Sequence, residues 1–423
     1  MTLPVLLCGG TVLVNPMGWA EVTEAKVAAG RAGGKREAGE PGGALDLDLS
    51  RTDLLGLYAG HDRPPLLVTQ IQDGRLVNRT ALITCGDPTC QDATLTWVTG
   101  RNEVRSVAGS VRLADGRLVL AVWKRAPDAD AHMVQLGLLI CDREQCAPPE
   151  GGGPLSEPVP EGWQAAAIAL RPNGGLVIAH VRRHSYDVAR EVVSFTFCGD
   201  PICSRPAQTM SADLKSDPYA NERALAVAVG ADGRPVAARM DPRTSAVYVL
   251  TCADATCTAP RTEKPQRGHG EELERRRAGR ISMTLRPDGR PIIAYFDALD
   301  DSIGLLDCRD RACAQAGRIQ VARRGSEPAV ALDAAGRALV AYHDYDTDQM
   351  KLATCWNSTC ASTVVSGEAG ADVDMTLDDH GRPVIAWTTV SEGVRSVRVT
   401  TVLNVGDITT RALESAGRTV HGR

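Results

Sequence analysis

Residues 284–313, TLRPDGRPIIAYFDALDDSIGLLDCRDRAC, hold the unit on which the reading of the fold rests. An alternating run ends at Leu285, Asp288-Gly289-Arg290 makes a turn, Pro291 to Phe296 is almost continuously apolar, and a second alternating run closes at Cys308 and Cys313. Glycine tolerates positive φ and Asp bonds its own backbone, so the runs read as short strands bounded by turn chemistry. One unit amounts to about four strands, a sheet that cannot bury both of its faces alone.

The unit recurs along almost the whole chain. Copies run SVRLADGRLVLAVW to Cys146, AIALRPNGGLVIAHV to Cys203, LAVAVGADGRPVAARM to Cys257 and AVALDAAGRALVAYHD to Cys360. A worn first copy ends at Cys90, and a last copy, DMTLDDHGRPVIAWTT, has no cysteines. The turn residues Asp62, Gly116, Gly174, Gly233, Gly289, Gly336 and Gly381 mark seven copies, spaced by 45 to 59 residues. That spacing fits a four-stranded propeller blade plus a variable connection. The first strands are small or β-branched (Ala166, Ala167, Ala169; Ala224, Ala226, Ala228), as a crowded axis requires. An all-β, seven-bladed β-propeller follows, with an open solenoid as the alternative that would have to cap its edges.

Residues 46–415 are assigned to the propeller, 416–423 to a tail and 21–45, rich in Gly, Ala, Glu and Arg, to a flexible linker. Residues 1–20 read as a signal peptide, with apolar Leu3 to Val14 and small Gly18 and Ala20 before Glu21, although Lys and Arg are missing ahead of it. A first strand at Leu3 to Val14 is the rival reading. The last copy lacks an outer strand, which must come from Ile408 to Leu413 or from the N-terminal segment pairing back.

Composition sets outer limits. The 423 residues are 43% hydrophobic and 23% charged with net charge -5, so nothing points to nucleic acid or an anionic membrane. Aromatics at 4% leave little for stacking platforms, and no apolar run is long enough for a membrane span. Twelve of the thirteen cysteines form six pairs of one spacing: Cys85/Cys90, Cys141/Cys146, Cys198/Cys203, Cys252/Cys257, Cys308/Cys313 and Cys355/Cys360. If each pair flanks a hairpin turn, its members are cross-strand neighbours at a separation that suits a disulfide. Each short loop gains roughly 2 kcal/mol in the chain-entropy model, and six bridges favour an oxidising, secreted or periplasmic setting. Zinc is the rival, but its ligands converge on one ion whereas these pairs are spread one per copy; unpaired structural thiols are the other.

The copies resemble a family of bacterial, mostly secreted repeat β-propellers whose blades carry an L-x-x-D-G-x-P-h-I-A-Y-Y-D segment and then a C-x-D/N-x-x-C hairpin. RPDGRPIIAYFD, DAAGRALVAYHD and DDHGRPVIAWTT match the first segment; CGDPTC, CGDPIC, CADATC and CWNSTC match the second. The resemblance spans about Asp46 to Leu413 and implies the fold. The family is functionally uncharacterised, so it implies no catalytic residue.

Strand alternation puts the Asp-Gly turns and cysteine hairpins on one face and the irregular connections on the other, where ligand sites are expected. The candidates there are Trp123 with Lys124 and Arg125, Arg182 and His184, Arg239, Asp297, His343 with Asp344, and Trp387. Cations in blades two to four against carboxylates in five and six suit a polar ligand or a protein. Asp344, Asp346 and Asp348 alternate as a hard-oxygen set for calcium but lack the Gly and distal Glu of an EF-hand loop; no other cofactor is indicated. His180 and His184 have no third zinc ligand. Asp297 and Asp344 could form a glycosidase pair across adjacent blades, although no S-x-D-x-G-x-x-W box or nucleophile elbow occurs. The expected function is a secreted module binding a protein or carbohydrate; a propeller glycoside hydrolase or lyase and a structural scaffold are the alternatives. Oligomeric state is not legible.

Overall fold

The computed structural model describes residues 22–27 and, within 51–402, all but 61–62, 73–77, 87–89, 91–92, 100–103, 128, 130–131, 143–144, 162–164, 184–190, 205, 215–223, 242–243, 267–279, 369 and 392–393. Every regular element among the described residues is a strand, and the strands form seven antiparallel sheets. Blade one is Arg51–Gly60, Arg63–Gln72, Asn78–Cys85 and Ala93–Trp97 from the axis outward. The inner strands of blades two to seven are Ser106–Arg112, Ala166–Leu170, Leu225–Val229, Ile281–Leu285, Gly325–Leu332 and Ala371–Leu377.

Closure of the ring is read from the core. Seven clusters of buried apolar side chains lie between neighbouring blades, and one of them joins Leu54, Leu57 and Leu67 of blade one to Val384, Ala386 and Val399 of blade seven. An open row of seven sheets has only six such interfaces, so the seventh excludes the solenoid. Second strands are covered on both faces, and Pro291–Asp297 is buried throughout. The apolar segments are continuous there for that reason, whereas the outer strand Thr359–Ser366 mixes buried and exposed positions.

Blade seven settles the missing outer strand. Val22–Val27 pairs antiparallel with Val394–Val402, from Val22 opposite Val402 to Val27 opposite Val397. Six residues assigned to the linker are therefore a strand of the ring, paired with the last described strand. Residues 1–21, 28–50 and 403–423 lie outside the described residues, and with them the signal-peptide, tail and Ile408 to Leu413 readings.

The turns explain what repeats. Gly116, Gly174, Gly233, Gly289, Gly336 and Gly381 have φ of 71–92°, the left-handed region that a side chain resists. Arg117, Arg234 and Arg290 fold back on Asp115, Asp232 and Asp288 two residues earlier, and Arg337 and Arg382 on Asp333 and Asp378. The Asp-Gly-Arg signature is a turn clamp.

All six disulfides form, with Cα–Cα separations of 4.0–4.8 Å. Their local geometry departs from expectation in four blades. Cys141 opposes Cys146 and Cys355 opposes Cys360, but Cys85, Cys198, Cys252 and Cys308 oppose Ala93, Pro206, Pro260 and Ala316. In those four the second cysteine sits in the turn at φ of 52–58°. Asp200 and Asp254 stabilise two of these turns by accepting from Ser204 Oγ and Thr258 Oγ1, each at 2.5 Å, as well as from backbone N–H groups.

These clamps carry a pH signature. Hydrogen bonds hold the carboxyls of Asp115, Asp200 and Asp254 below the usual carboxylate range. Burial pushes Asp232, Asp288 and Asp378 upward, but bonds from their arginines outweigh it, and these too are lowered. A carboxyl depressed by folding contributes stability above its unfolded pKa of about 4, and that contribution is lost as pH falls through the folded value. The urea midpoint is expected to stay level from neutral pH to about 5 and to drop below about 4; a midpoint that rises on acidification contradicts the clamps.

Candidate functional site

Bonds between blades confirm which connections share a face. Arg311, in the cysteine hairpin of blade five, donates to Asp232 Oδ2 and Arg234 O in the Asp-Gly turn of blade four. Arg171, in the turn of blade three, donates to Ala255 O in the hairpin of blade four. The repeated residues thus knit one face together, and the candidates belong to the other.

Counting from the turn residue shows what most of those candidates do. Six residues on stand Val68, Val122, His180, Arg239, Tyr295, Tyr342 and Trp387, all buried. This is a core slot, and Trp387 fills it between blades six and seven against Met350, Leu352 and Ile385. A Cβ on Gly370 would overlap its ring. Trp123, one position later, is equally buried, between blades two and three. Arg239 has no exposed surface, and its Nη1 donates to Ala224 O and Met240 O. Trp123, Arg239 and Trp387 are therefore packing residues and present no contact surface, because the second strand is covered on both sides. Tyr295 occupies the same slot above Gly304, and burial pushes its hydroxyl up to about 12.

Eight residues after the turn stand Asp241, Asp297 and Asp344, also buried. Asp297 Oδ1 accepts from Leu299 N at 3.3 Å and Asp344 Oδ1 from Thr347 N at 2.9 Å, so each aspartate caps the connection that follows it. Twelve residues after the turn stand Ser245, Asp301 and Asp348, with φ of 56°, 57° and 54°. In blades five and six the connection is entered by a capping aspartate and left through an aspartate in the left-handed region, which Asp tolerates; in blade four Ser245 takes that left-handed position. This regularity was present in the sequence and is visible only when blades are aligned on the turn residue.

The remaining bonds are local. Asp297 Oδ2 pairs with Arg318 Nη2 at 3.1 Å, and Asp344 Oδ2 with Lys351 Nζ at 3.0 Å. Burial raises the Asp344 carboxyl, but the Lys351 and Thr347 bonds outweigh it and the group is lowered. His343 Nε2 lies 3.0 Å from Asp348 Oδ1, and Asp346 pairs with Arg324 at 3.5 Å. Asp344, Asp346 and Asp348 thus serve three different partners, and among the described residues no group of three His, Cys, Asp or Glu is placed to hold a metal. Arg125 is exposed at the end of its strand; the Arg182 side chain and His184 lie outside the described residues.

What does face solvent on this side is a rim across blades five and six. The link between these blades passes between their two capped connections, with Gly325 N donating to Asp301 O at 2.7 Å and Tyr345 N to Arg324 O at 3.3 Å. It exposes Leu299 (49%) and Tyr345 (37%) beside Arg324, Asp346 and Asp348. The Tyr345 ring stands edge-on to His343 at 5.1 Å. Nearer the axis, Arg280 of blade five pairs with Glu327 of blade six and donates to Val373 O of blade seven, tying three blades behind the rim. Tyr345 and Leu299 fall in the runs His343 to Asp346 and Asp297 to Asp301 that the sequence places on this face, whereas Arg324 carries no signal in the sequence that singles it out.

No protein-family model and no curated protein matches the sequence. Among solved structures, a protein of unknown function from Dyadobacter fermentans is similar at 13% identity over 72% of this chain and 96% of its own, with a TM-score of 0.45. The polysaccharide lyase Uly1 is similar at 9% identity over 90% and 98%, TM-score 0.49. A Penicillium chrysogenum α-L-arabinanase complexed with arabinobiose is similar at 11% over 69% and 91%, TM-score 0.41. These likenesses assign no chemistry to this chain.

Proposed function

We propose that the protein is a non-enzymatic recognition propeller of an oxidising compartment, binding a protein or glycan through the loop rim of blades five and six. One observation carries the reading: exposed Leu299 and Tyr345 flank Arg324, Asp346 and Asp348 on two connections whose backbones are fixed by aspartate caps. Apolar anchors in a polar surround, held rigidly, are the usual make-up of a binding patch, and the fixed backbone lowers the ordering cost of association. Hydrolysis would need Asp297 and Asp344 to face a sugar. Both are buried and bonded within their own blades, which favours binding over catalysis. The six disulfides support a setting in which thiols are oxidised.

The test is a glycan array together with purified cell-envelope proteins, probed with wild type, Leu299→Glu and Tyr345→Ala. A saturable partner should lose at least about tenfold in affinity, roughly 1.4 kcal/mol, in each variant at unchanged melting temperature. A partner that binds both variants normally removes the rim from consideration. Turnover of a chromogenic glycoside panel that disappears in Asp297→Asn or Asp344→Asn would replace binding by hydrolysis. In a separate measurement, alkylation of unreduced native protein should label none of the twelve paired cysteines.

A further inference from the structure

Ten of the twelve paired cysteines are buried, and Cys146 and Cys360 are the two that keep exposed surface. They belong to the two bridges whose cysteines stand directly opposite each other, Cys141 to Cys146 and Cys355 to Cys360. The turn residues 143–144 of blade two lie outside the described residues, whereas the hairpin of blade six is described throughout and shows what the difference means.

In blades three, four and five the aspartate two residues after the first cysteine reaches across the turn. Asp200 Oδ1 accepts from Ser204 N, Asp254 Oδ1 from Thr258 N and Asp310 Oδ1 from Ala314 N, which holds the chain beyond the second cysteine against the turn. Cys203, Cys257 and Cys313 sit there at φ of 52–58° and 0–2% exposure, and both cysteines of each bridge are members of the core between blades. Blade six has Asn357 in place of the aspartate, itself at φ 56°. The left-handed residue thus moves from the second cysteine into the turn, and the two strands pair from Trp356 opposite Thr359 to Met350 opposite Ser366. Cys355 stays in the core at 3% exposure, while Cys360 only rests against it. Trp356, Asn357, Ser358 and Thr359 are all exposed. Alternation along the strand sets Trp356 on the opposite face from Cys355, so its ring does not shield the bridge.

We propose that Cys355–Cys360 is a thiol-exchange site, open in the folded protein to a dithiol in its surroundings. Exchange requires a thiolate to reach one sulfur of the bridge, so access decides which disulfide reacts. The thiolate attacks Cys360 Sγ, the sulfur of the partly exposed member. A mixed disulfide forms, the bond to Cys355 Sγ breaks, and Cys355 leaves as a thiolate that takes a proton from water. The second thiol of the reagent, as thiolate, then attacks its own sulfur in the mixed disulfide. Cys360 departs as a thiolate and is protonated in turn, so the bridge gains two electrons and the dithiol loses two. The ladder between Gln349–Trp356 and Thr359–Ser366 does not need the bridge, so the hairpin keeps its shape and the step is reversible. The site lies on the face of the cysteine hairpins, opposite the rim of blades five and six, and it does not depend on that reading.

Timed reduction of the whole native protein by dithiothreitol tests it, with thiols alkylated at intervals and the labelled peptides quantified. Cys355 and Cys360 should become labelled at least about tenfold faster than the bridged cysteines of blades three, four and five, at unchanged circular dichroism. Single variants locate the attack. In Cys355→Ser the remaining Cys360 should form a mixed disulfide with oxidised glutathione, whereas the remaining Cys355 of Cys360→Ser and the remaining Cys313 of Cys308→Ser should not. The wild-type time course decides the matter if a variant fails to fold. Reduction of the bridges of blades three to five as fast as that of blade six, opening of Cys355–Cys360 only together with loss of the folded signal, or a mixed disulfide on Cys355 in preference to Cys360 each overturns the proposal.

Discussion

Trp387→Ala is expected to lower the unfolding free energy by about 3–5 kcal/mol, and Trp123→Ala by a similar amount. Both rings are fully buried between blades, Trp387 against Met350, Leu352 and Ile385 and Trp123 against Leu136, Val159 and Ile178. Removing either leaves a cavity that two sheets cannot close without moving a blade. Neither indole Nε1 has a hydrogen-bond partner, so packing carries the effect and Trp387→Phe should cost far less than the alanine variant. Gly370→Val should approach the cost of overpacking, about 1–3 kcal/mol, because its side chain would overlap the Trp387 ring. Urea unfolding followed by far-ultraviolet circular dichroism measures all four. Normal stability in both alanine variants would mean that the tryptophans are exposed, and that the ligand face must be redrawn around them.

The contrast with Tyr345 shows what the sequence conveyed and what it withheld. Periodic features were legible: seven turns, six cysteine pairs and small inner strands dictate a closed ring, because each is demanded once per blade. Site assignment went astray where a position was judged by residue type. Trp387, Tyr342, Tyr295, Arg239 and His180 look like five unrelated choices, yet all stand six residues after a turn and all are buried. An arginine in that slot reads as a surface cation until Ala224 O and Met240 O are seen to accept its hydrogen bonds. Asp344, Asp346 and Asp348 similarly suggested calcium, whereas two of them hold a turn that Asp297 and Asp301 hold in the neighbouring blade.

Deleting residues up to Val27 is expected to have the other large effect, since Val22–Val27 closes the ring by pairing with Val394–Val402. Six paired residues at roughly 0.5–1.5 kcal/mol per net hydrogen bond correspond to about 3 kcal/mol or more. Their loss also leaves an open edge on blade seven, prone to pairing with another chain. A finer test uses the alternation of the ladder. Glu24 and Ala25 face Thr400 and Val399, and in a strand at the edge of a sheet only one of two adjacent N–H groups points at the neighbour. Proline at that position removes a ladder donor, while proline at the other is tolerated because its N–H would face outward. Glu24→Pro and Ala25→Pro should therefore differ, one lowering the urea midpoint and the other nearly silent. The damaging variant should also make Val394–Val402 exchange its amide hydrogens faster, with the core strands of blades three to five unchanged. Two silent prolines, or a truncation as stable as the full chain, would show that blade seven is completed by some other segment.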